Sequence, residues 1–191
     1  MVIAVLCLAA ACAVEAAPTL DISMAAVSWG PRFVLTGTKT EPTYIEHIRL
    51  ERDGDLFILQ GGAPAGMAPS RESIAVGAGG ALRHVDCPAG MTCAKTEPPS
   101  GFLASAGILA ALRRQRLSGR FPIYSYGGHA LVCIPAERLG VQNAVLDPCV
   151  EIQSGAVIAQ RHRRSGEFEG PSLDPWSINL SIVPPQVASR K

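Results

Sequence analysis

The chain has 191 residues, of which 48% are hydrophobic and 17% are charged, a composition that is ample for a buried core. This length suits one domain, or one domain with a small extension. With 17 basic against 16 acidic residues, the overall charge excludes a strong general attraction to polyanions. Any contact with nucleic acid therefore has to come from a local basic patch.

The first 17 residues have the composition of an export signal. An apolar run from Val2 to Val14 is followed by small residues before Pro18, which is typical of a cleavage site. The run is too short for a membrane span. We predict a signal peptide at residues 1–17 and an exported protein, either periplasmic or secreted. Lipidation at Cys12 is the alternative.

Removal of the signal peptide leaves four cysteines, namely Cys87, Cys93, Cys133 and Cys149. Four cysteines in an exported chain favour two disulfides, for which three connectivities are possible. We favour Cys87 with Cys93 and Cys133 with Cys149, because these are neighbours in sequence and each bond would close one loop. The intervals between them do not match the common ligand spacing of zinc sites.

Residues 18–68 read as an amino-terminal β extension. Apolar residues alternate with others over residues 22–26, and residues 33–35 form a short apolar run. An Asp-Gly-Asp turn divides residues 45–59 into a predicted hairpin. The glycine- and proline-rich segment 61–70 predicts a loop and marks a possible domain boundary.

The next segment contains a second predicted hairpin and then a helix. Apolar residues at 74–76 and 82–85 flank a glycine-rich turn, and Pro88 ends the second strand. A helix is predicted to begin with Ser100 as its cap and to end at Gly119. Its apolar residues Phe102, Ala106, Leu109 and Leu112 recur at three- and four-residue steps, which predicts one apolar face. Arginines in its last turns are explained by the helix dipole.

The remainder of the chain again predicts mostly strands. Two strands flank Gly127-Gly128, a short helix or turn covers 137–146, and a hairpin covers 150–158. Residues 161–164, Arg-His-Arg-Arg, are the dense basic cluster of the sequence. Residues 166–191 contain several prolines and predict an irregular tail with one strand at 178–183.

Four short segments occur along the chain in the same order as four motifs of a known protein family. They are SRES at 70–73, ALRHVDCPA at 81–89, YGG at 126–128 and ERLG at 137–140. In position they resemble the DGDT, IRLxGIDxPE, YGR and acidic-Leu-Gly motifs of the secreted thermonucleases, the staphylococcal-nuclease-like family. The resemblance implies a mainly β fold with one or two helices. Its centre would be an OB-type five-stranded barrel at 69–165, preceded by the β extension.

The resemblance also implies a calcium site for phosphodiester hydrolysis. That chemistry uses carboxylates and a backbone carbonyl as calcium ligands. Carried onto this chain, the carboxylates fall on Glu72 and Asp86, and the carbonyl falls on Cys87.

The other catalytic positions of the family are mostly replaced. The two arginines that neutralise the phosphate fall on Ala81 and Gly128, and the glutamate that activates water falls on Ala89. Arg83 lies two residues after Ala81, on the same face of a strand, and is the candidate substitute for the first arginine. Each lost group normally stabilises the transition state by several kcal/mol.

These residues lead to three functional hypotheses. The first is a catalytically degenerate relative without a cofactor, acting as a binding or structural module of the cell envelope. Its partner would be an envelope protein or a nucleic acid, and its contact surface would comprise Arg83, Asp86, Arg161, Arg163 and Arg164. The alternative is a divergent calcium-dependent nuclease that cleaves DNA or RNA with Glu72, Asp86 and Arg83. The third hypothesis assigns the function to the β extension and makes the barrel a scaffold.

Overall fold

The computed structural model describes residues 17–40, 45–61, 70–86, 99, 101–170 and 177–182. Within them the chain is mainly β, with two antiparallel sheets and one main helix, as the predicted fold class requires. Residues 1–16 of the predicted signal peptide lie outside the described residues. Cys87, Cys93 and Ser100 also lie outside them.

Strands account for most of the regular structure. The elements in chain order are β1 (Thr19–Asp21), α1 (Ile22–Val27), β2 (Arg32–Thr40), β3 (Ile45–Asp53), β4 (Leu56–Gly61), β5 (Ser70–Val76), β6 (Leu82–Asp86), α2 (Ala104–Arg113), β7 (Arg120–Tyr126), β8 (His129–Cys133), β9 (Leu146–Glu151), β10 (Val157–His162), β11 (Phe168–Glu169) and β12 (Ser177–Ile182). Short 3-10 helices lie at Gly101–Leu103 and Ala136–Leu139.

The strands form two six-stranded sheets. Sheet I has the order β12-β2-β3-β4-β5-β6, and sheet II has the order β1-β7-β8-β9-β10-β11. The hairpins predicted around residues 54, 127 and 154 are confirmed as β3-β4, β7-β8 and β9-β10. The strand predicted near the carboxyl terminus is confirmed as β12, which pairs with β2.

The predicted strand at residues 22–26 is wrong, because this segment is the helix α1. Asp21 caps the helix, since its Oδ1 atom accepts hydrogen bonds from the Ser23 N–H at 2.9 Å and from the Ser23 hydroxyl at 2.7 Å. Ile22 is buried, whereas Met24 and Val27 are exposed. In a run this short, alternation and helical periodicity are hard to tell apart.

The main helix is shorter than its sequence predicts. It begins at Ala104, after the 3-10 helix, and ends at Arg113 rather than at Gly119. Gln115 adopts a left-handed conformation with φ 55°, and the Arg116 N–H bonds the Ala111 carbonyl, which together terminate the helix. The apolar residues Phe102, Ala106 and Leu109 of the predicted face are buried, but burial is not confined to that face, because every residue from 102 to 111 is buried.

The described strands form two separate sheets and close no barrel. β4 pairs with β5 over six residue pairs, so the strands on either side of the predicted domain boundary belong to one sheet. This pairing holds β5 and β6 in sheet I, whereas β7 to β10 belong to sheet II. Sheet II curls strongly: the Phe168 ring of β11 lies 5.6 Å from the rings of Tyr124 and Tyr126 on β7.

Two apolar clusters form the core. The first joins the inner face of sheet I to one face of sheet II, and it includes Phe33, Leu50, Phe57, Ile74, Leu131 and Cys149. The second joins the opposite face of sheet II to α1, and it includes Ile22, Val132, Val150 and Val157. The α2 helix contributes to both clusters, which explains why it is buried on all sides.

Candidate functional site

The β5-β6 hairpin contains a bulge that determines where the predicted metal ligands lie. Ile74 is the partner of His84, but the next partner pair is Ser73 with Asp86, so Val85 is an extra residue in β6. In an unbulged ladder Glu72 would stand directly opposite Asp86, because successive pairs move one residue along each strand. The bulge instead places Asp86 opposite Ser73.

Glu72 and Asp86 consequently point to opposite faces of sheet I. Glu72 Oε1 lies 3.5 Å from His84 Nδ1. Asp86 Oδ2 accepts a hydrogen bond from the Ser73 hydroxyl at 3.1 Å and lies 3.6 Å from Arg71 Nε. Consecutive residues of a strand alternate between faces, so Ser73 and Glu72 point in opposite directions. The structure does not bring the two carboxylates together.

No set of metal-binding side chains is assembled elsewhere in the described part of the chain. Among these residues no group of three or more His, Cys, Asp and Glu side chains is arranged to hold a metal ion. Cys87, whose carbonyl completes the implied calcium site, lies outside them.

Arg83 lies on the same face as Asp86. Its partner in the ladder is Ala75, two residues from the partner of Asp86. The side chain is exposed, and within the described residues it makes no hydrogen bond or ion pair. The structure therefore brings Arg83 and Asp86 to one surface, whereas Glu72 lies on the other face.

This surface, the outer face of sheet I, spans five strands. Its residues include Arg32, Val34, Thr36 and Thr38 of β2, His47, Arg49, Glu51 and Asp53 of β3, Leu56, Ile58 and Gln60 of β4, Arg71, Ser73 and Ala75 of β5, and Arg83 and Asp86 of β6. Leu56 and Ile58, on the strand β4 between β3 and β5, are half-buried. The face is thus an apolar strip flanked by charged residues.

The charges on the outer face are largely paired with one another. Arg32 binds Asp53 through two hydrogen bonds, at 2.8 and 3.1 Å, and these hold the pKa of Asp53 below its usual value. Arg49 pairs with Glu51. Because paired charges cancel at a distance, the outer face has little excess positive potential for a polyanion.

The dense basic cluster at 161–164 does not form one patch. The guanidinium of Arg161 lies over the Tyr124 ring, 4.8 Å from its centroid. Arg163 binds both Glu137 and Asp147, with its Nε 2.8 Å from Asp147 Oδ1. This pairing lowers the pKa of Glu137 and raises the pKa of Arg163. Arg164 is the exposed arginine of the cluster.

Cys133 and Cys149 form a disulfide between neighbouring strands, as favoured by the sequence. They are direct partners in the β8-β9 ladder, and their Cα atoms are 3.9 Å apart. Cys149 is fully buried. A structural disulfide of this kind is compatible with an exported protein. The predicted partner pair, Cys87 and Cys93, lies outside the described residues.

Two structural arginines were missed by the sequence analysis. Arg52 is only 8% exposed; its Nε donates to the Gly54 carbonyl at 3.0 Å, and its guanidinium lies 5.6 Å from the Phe57 ring centroid. Burial lowers the pKa of Arg52. The alternation of Ile48, Leu50 and Arg52 was the available signal, since it places Arg52 on the core face.

The second is Arg113, at the end of α2. Its Nη1 atom donates to the carbonyls of Val76 and Gly77, and its Nη2 atom pairs with Asp55. Such a long-range contact has no signal in the local sequence.

No helix in the described part of the chain is both long and apolar enough to cross a membrane. The thermonuclease resemblance stays a prediction from the order of the motifs. Comparisons of the chain with models of protein families, with curated proteins and with solved structures found no match.

Proposed function

We propose that the protein is an exported binding module of the cell envelope, which contacts a protein partner through the outer face of sheet I. In this proposal the chain is a thermonuclease-like relative that has lost phosphodiester hydrolysis. The outer face includes β2 to β4, so the amino-terminal β extension forms part of the functional surface rather than an appendage.

The observation that carries the proposal is the bulge at Val85. It turns Asp86 away from Glu72, so two carboxylates that would have faced each other contact different protein groups. Calcium binding in proteins needs several oxygen ligands that converge on one point. With Ala81, Ala89 and Gly128 at the other catalytic positions, the chain also lacks the family's cationic and basic groups.

The character of the outer face supports a protein partner over a nucleic acid. Nucleic-acid surfaces use unpaired Lys and Arg side chains to replace counterions on the phosphates. Here Arg32, Arg49 and Arg71 each lie beside a carboxylate. Protein interfaces commonly combine an apolar centre with a polar rim. Leu56 and Ile58 supply the centre of such an interface, and the paired charges supply its rim.

The loss of hydrolysis is tested by a nuclease assay on the oxidised mature protein. Single-stranded DNA and RNA are incubated with calcium or with a chelator, beside the Asp86→Ala variant as control. We expect no cleavage above the control and no rise in melting temperature on addition of calcium. A ligand at 100 times its dissociation constant stabilises a folded protein by about 2.7 kcal/mol, which is readily detected. Calcium-dependent cleavage that disappears in Asp86→Ala would overturn the proposal in favour of the divergent nuclease.

The partner surface is tested by photo-crosslinking in cells that express the protein. A benzophenone amino acid replaces Ile58 on the outer face or, as a matched control, Gln153, which is exposed on the β9-β10 turn of sheet II. We expect a discrete protein adduct at Ile58 that is absent at Gln153. That adduct should weaken when Arg83→Glu is added. Equal adducts at both positions, or none at Ile58, would contradict the assignment of this face.

A further inference from the structure

A second concave site lies away from the outer face of sheet I. It is a pocket of about 230 Å³ between the start of α2, the 3-10 helix Ala136–Leu139, the loop at 141–145 and the strands β9 and β10. Val145, which is 66% exposed, belongs to its lining and marks its mouth.

The lining is almost entirely apolar. Of the eleven described residues that line it, Gln160 is the one with a polar side chain, and none of the eleven is charged. Three alanines from three separate elements contribute to the lining: Ala104 of α2, Ala136 of the 3-10 helix and Ala144 of the loop. Because an alanine side chain is a single methyl group, these three positions leave space that a larger side chain would occupy.

The walls are held by bonds that do not depend on any ligand. The Ala136 N–H donates to Asp147 Oδ1 at 2.9 Å, and the Val141 N–H donates to the Ala136 carbonyl at 3.0 Å. Arg163 binds both Asp147 and Glu137 and thereby fastens the 3-10 helix to β9. When a pocket is already formed before the ligand binds, little binding free energy is spent on ordering the protein.

We propose that this pocket binds a small, uncharged ring compound of one or two fused rings. An apolar cavity of about 150 Å³ is large enough to hold benzene. The present pocket is larger, which leaves room for a second ring. An ionised ligand would lose its hydration without gaining a charged partner among the described lining residues, so these residues favour an uncharged compound. A rigid ring is preferred to a flexible chain, because it loses less conformational entropy on binding.

The proposal goes beyond the contact surface described above and is tested separately from it. The protein is labelled with ¹³C in alanine methyl groups and titrated with benzene and with indole. We expect saturable shifts of the Ala104, Ala136 and Ala144 methyl resonances, whereas the methyl resonance of the exposed Ala78 stays unchanged. Shifts spread evenly over the surface, or no shift at the pocket alanines, would overturn the proposal. The second result would mean that another part of the chain fills the pocket.

Substitutions at the pocket sharpen the test. Ala144→Leu fills the pocket from its loop and is expected to weaken indole binding about tenfold or more, whereas the matched Ala78→Leu leaves binding unchanged. Leu139→Ala enlarges the pocket and should favour indole over benzene relative to the parent protein. Unchanged affinities in both pocket variants would contradict the assignment, and the second variant provides an independent answer if the first does not fold.

Discussion

Arg113 joins the end of the main helix to sheet I, through a hydrogen bond of 2.6 Å from its Nη1 atom to the carbonyl of Val76. The same guanidinium reaches the Gly77 carbonyl at 3.1 Å and the carboxylate of Asp55. It therefore links the helix to two different hairpins of the sheet, a role that helix-dipole reasoning does not supply.

We expect Arg113→Ala to lower the free energy of unfolding by about 2 kcal/mol, because hydrogen bonds to charged groups typically contribute 1.5–3 kcal/mol. Urea unfolding followed by circular dichroism measures this loss. Arg116→Ala is the matched control, since the Arg116 side chain is exposed and makes none of these contacts. This variant should change stability by less than about 0.5 kcal/mol. Equal effects of the two variants would show that Arg113 acts only through its charge.

Replacement of Gly155 should be costly for two reasons. Its φ of +77° is unfavourable for other residues, and an added Cβ would lie 2.5 Å from the ring of Trp29. Trp29 cannot move freely, because its Nε1–H bonds the Ile152 carbonyl at 3.0 Å. We expect Gly155→Ala to destabilise the protein by about 3 kcal/mol, the sum of backbone strain and overpacking.

Gly140 provides the matched control for this prediction. It has a similar backbone conformation, with φ +93°, but an added Cβ would meet nothing within 4 Å. Gly140→Ala should therefore cost only the strain, about 1–2 kcal/mol. Urea unfolding of both variants separates the cost of backbone strain from the cost of overpacking against Trp29. A Gly155→Ala variant no less stable than Gly140→Ala would contradict the close packing on Trp29.

The disulfide between Cys133 and Cys149 should stabilise the protein by restricting the unfolded chain. The two residues are 16 apart in sequence, and a loop of this length corresponds to about 3 kcal/mol in the chain-entropy account. We expect the double variant Cys133→Ala, Cys149→Ala to lose about this amount in urea unfolding under oxidising conditions. Addition of a reductant should then destabilise the parent protein more than the double variant. The same response in both would show that this bond contributes nothing.

Acid should weaken the contact between the 3-10 helix and β9. Hydrogen bonding to Arg163 lowers the pKa of Glu137 below its usual value near 4.5. A carboxyl whose pKa is lowered by folding adds stability that is present above its unfolded pKa and is lost as pH falls through its folded pKa. We expect urea unfolding curves to show this loss as the pH falls below the usual glutamate pKa near 4.5. In Arg163→Gln, Glu137 should no longer contribute to the dependence of the free energy of unfolding on pH.

The sequence by itself determined the local features. An Asp-Gly-Asp turn, Gly127-Gly128 and Ser154-Gly155 placed three hairpins correctly, because tight turns depend on a few residues and their backbone conformation. The pairing of Cys133 with Cys149 was favoured for a similarly local reason. The short helix α1 was predicted wrongly as a strand, since six residues can satisfy both the helical and the strand period.

The tertiary structure decided which strands share a sheet and which side chains meet. Counting along β5 and β6 places Glu72 opposite Asp86, yet one extra residue at Val85 turns Asp86 to the other face. The partners of Arg113 and Arg163 lie far along the chain, so local sequence cannot name them. Strand pairing and ion pairing between distant residues depend on how the whole core packs, which is a property of the tertiary structure.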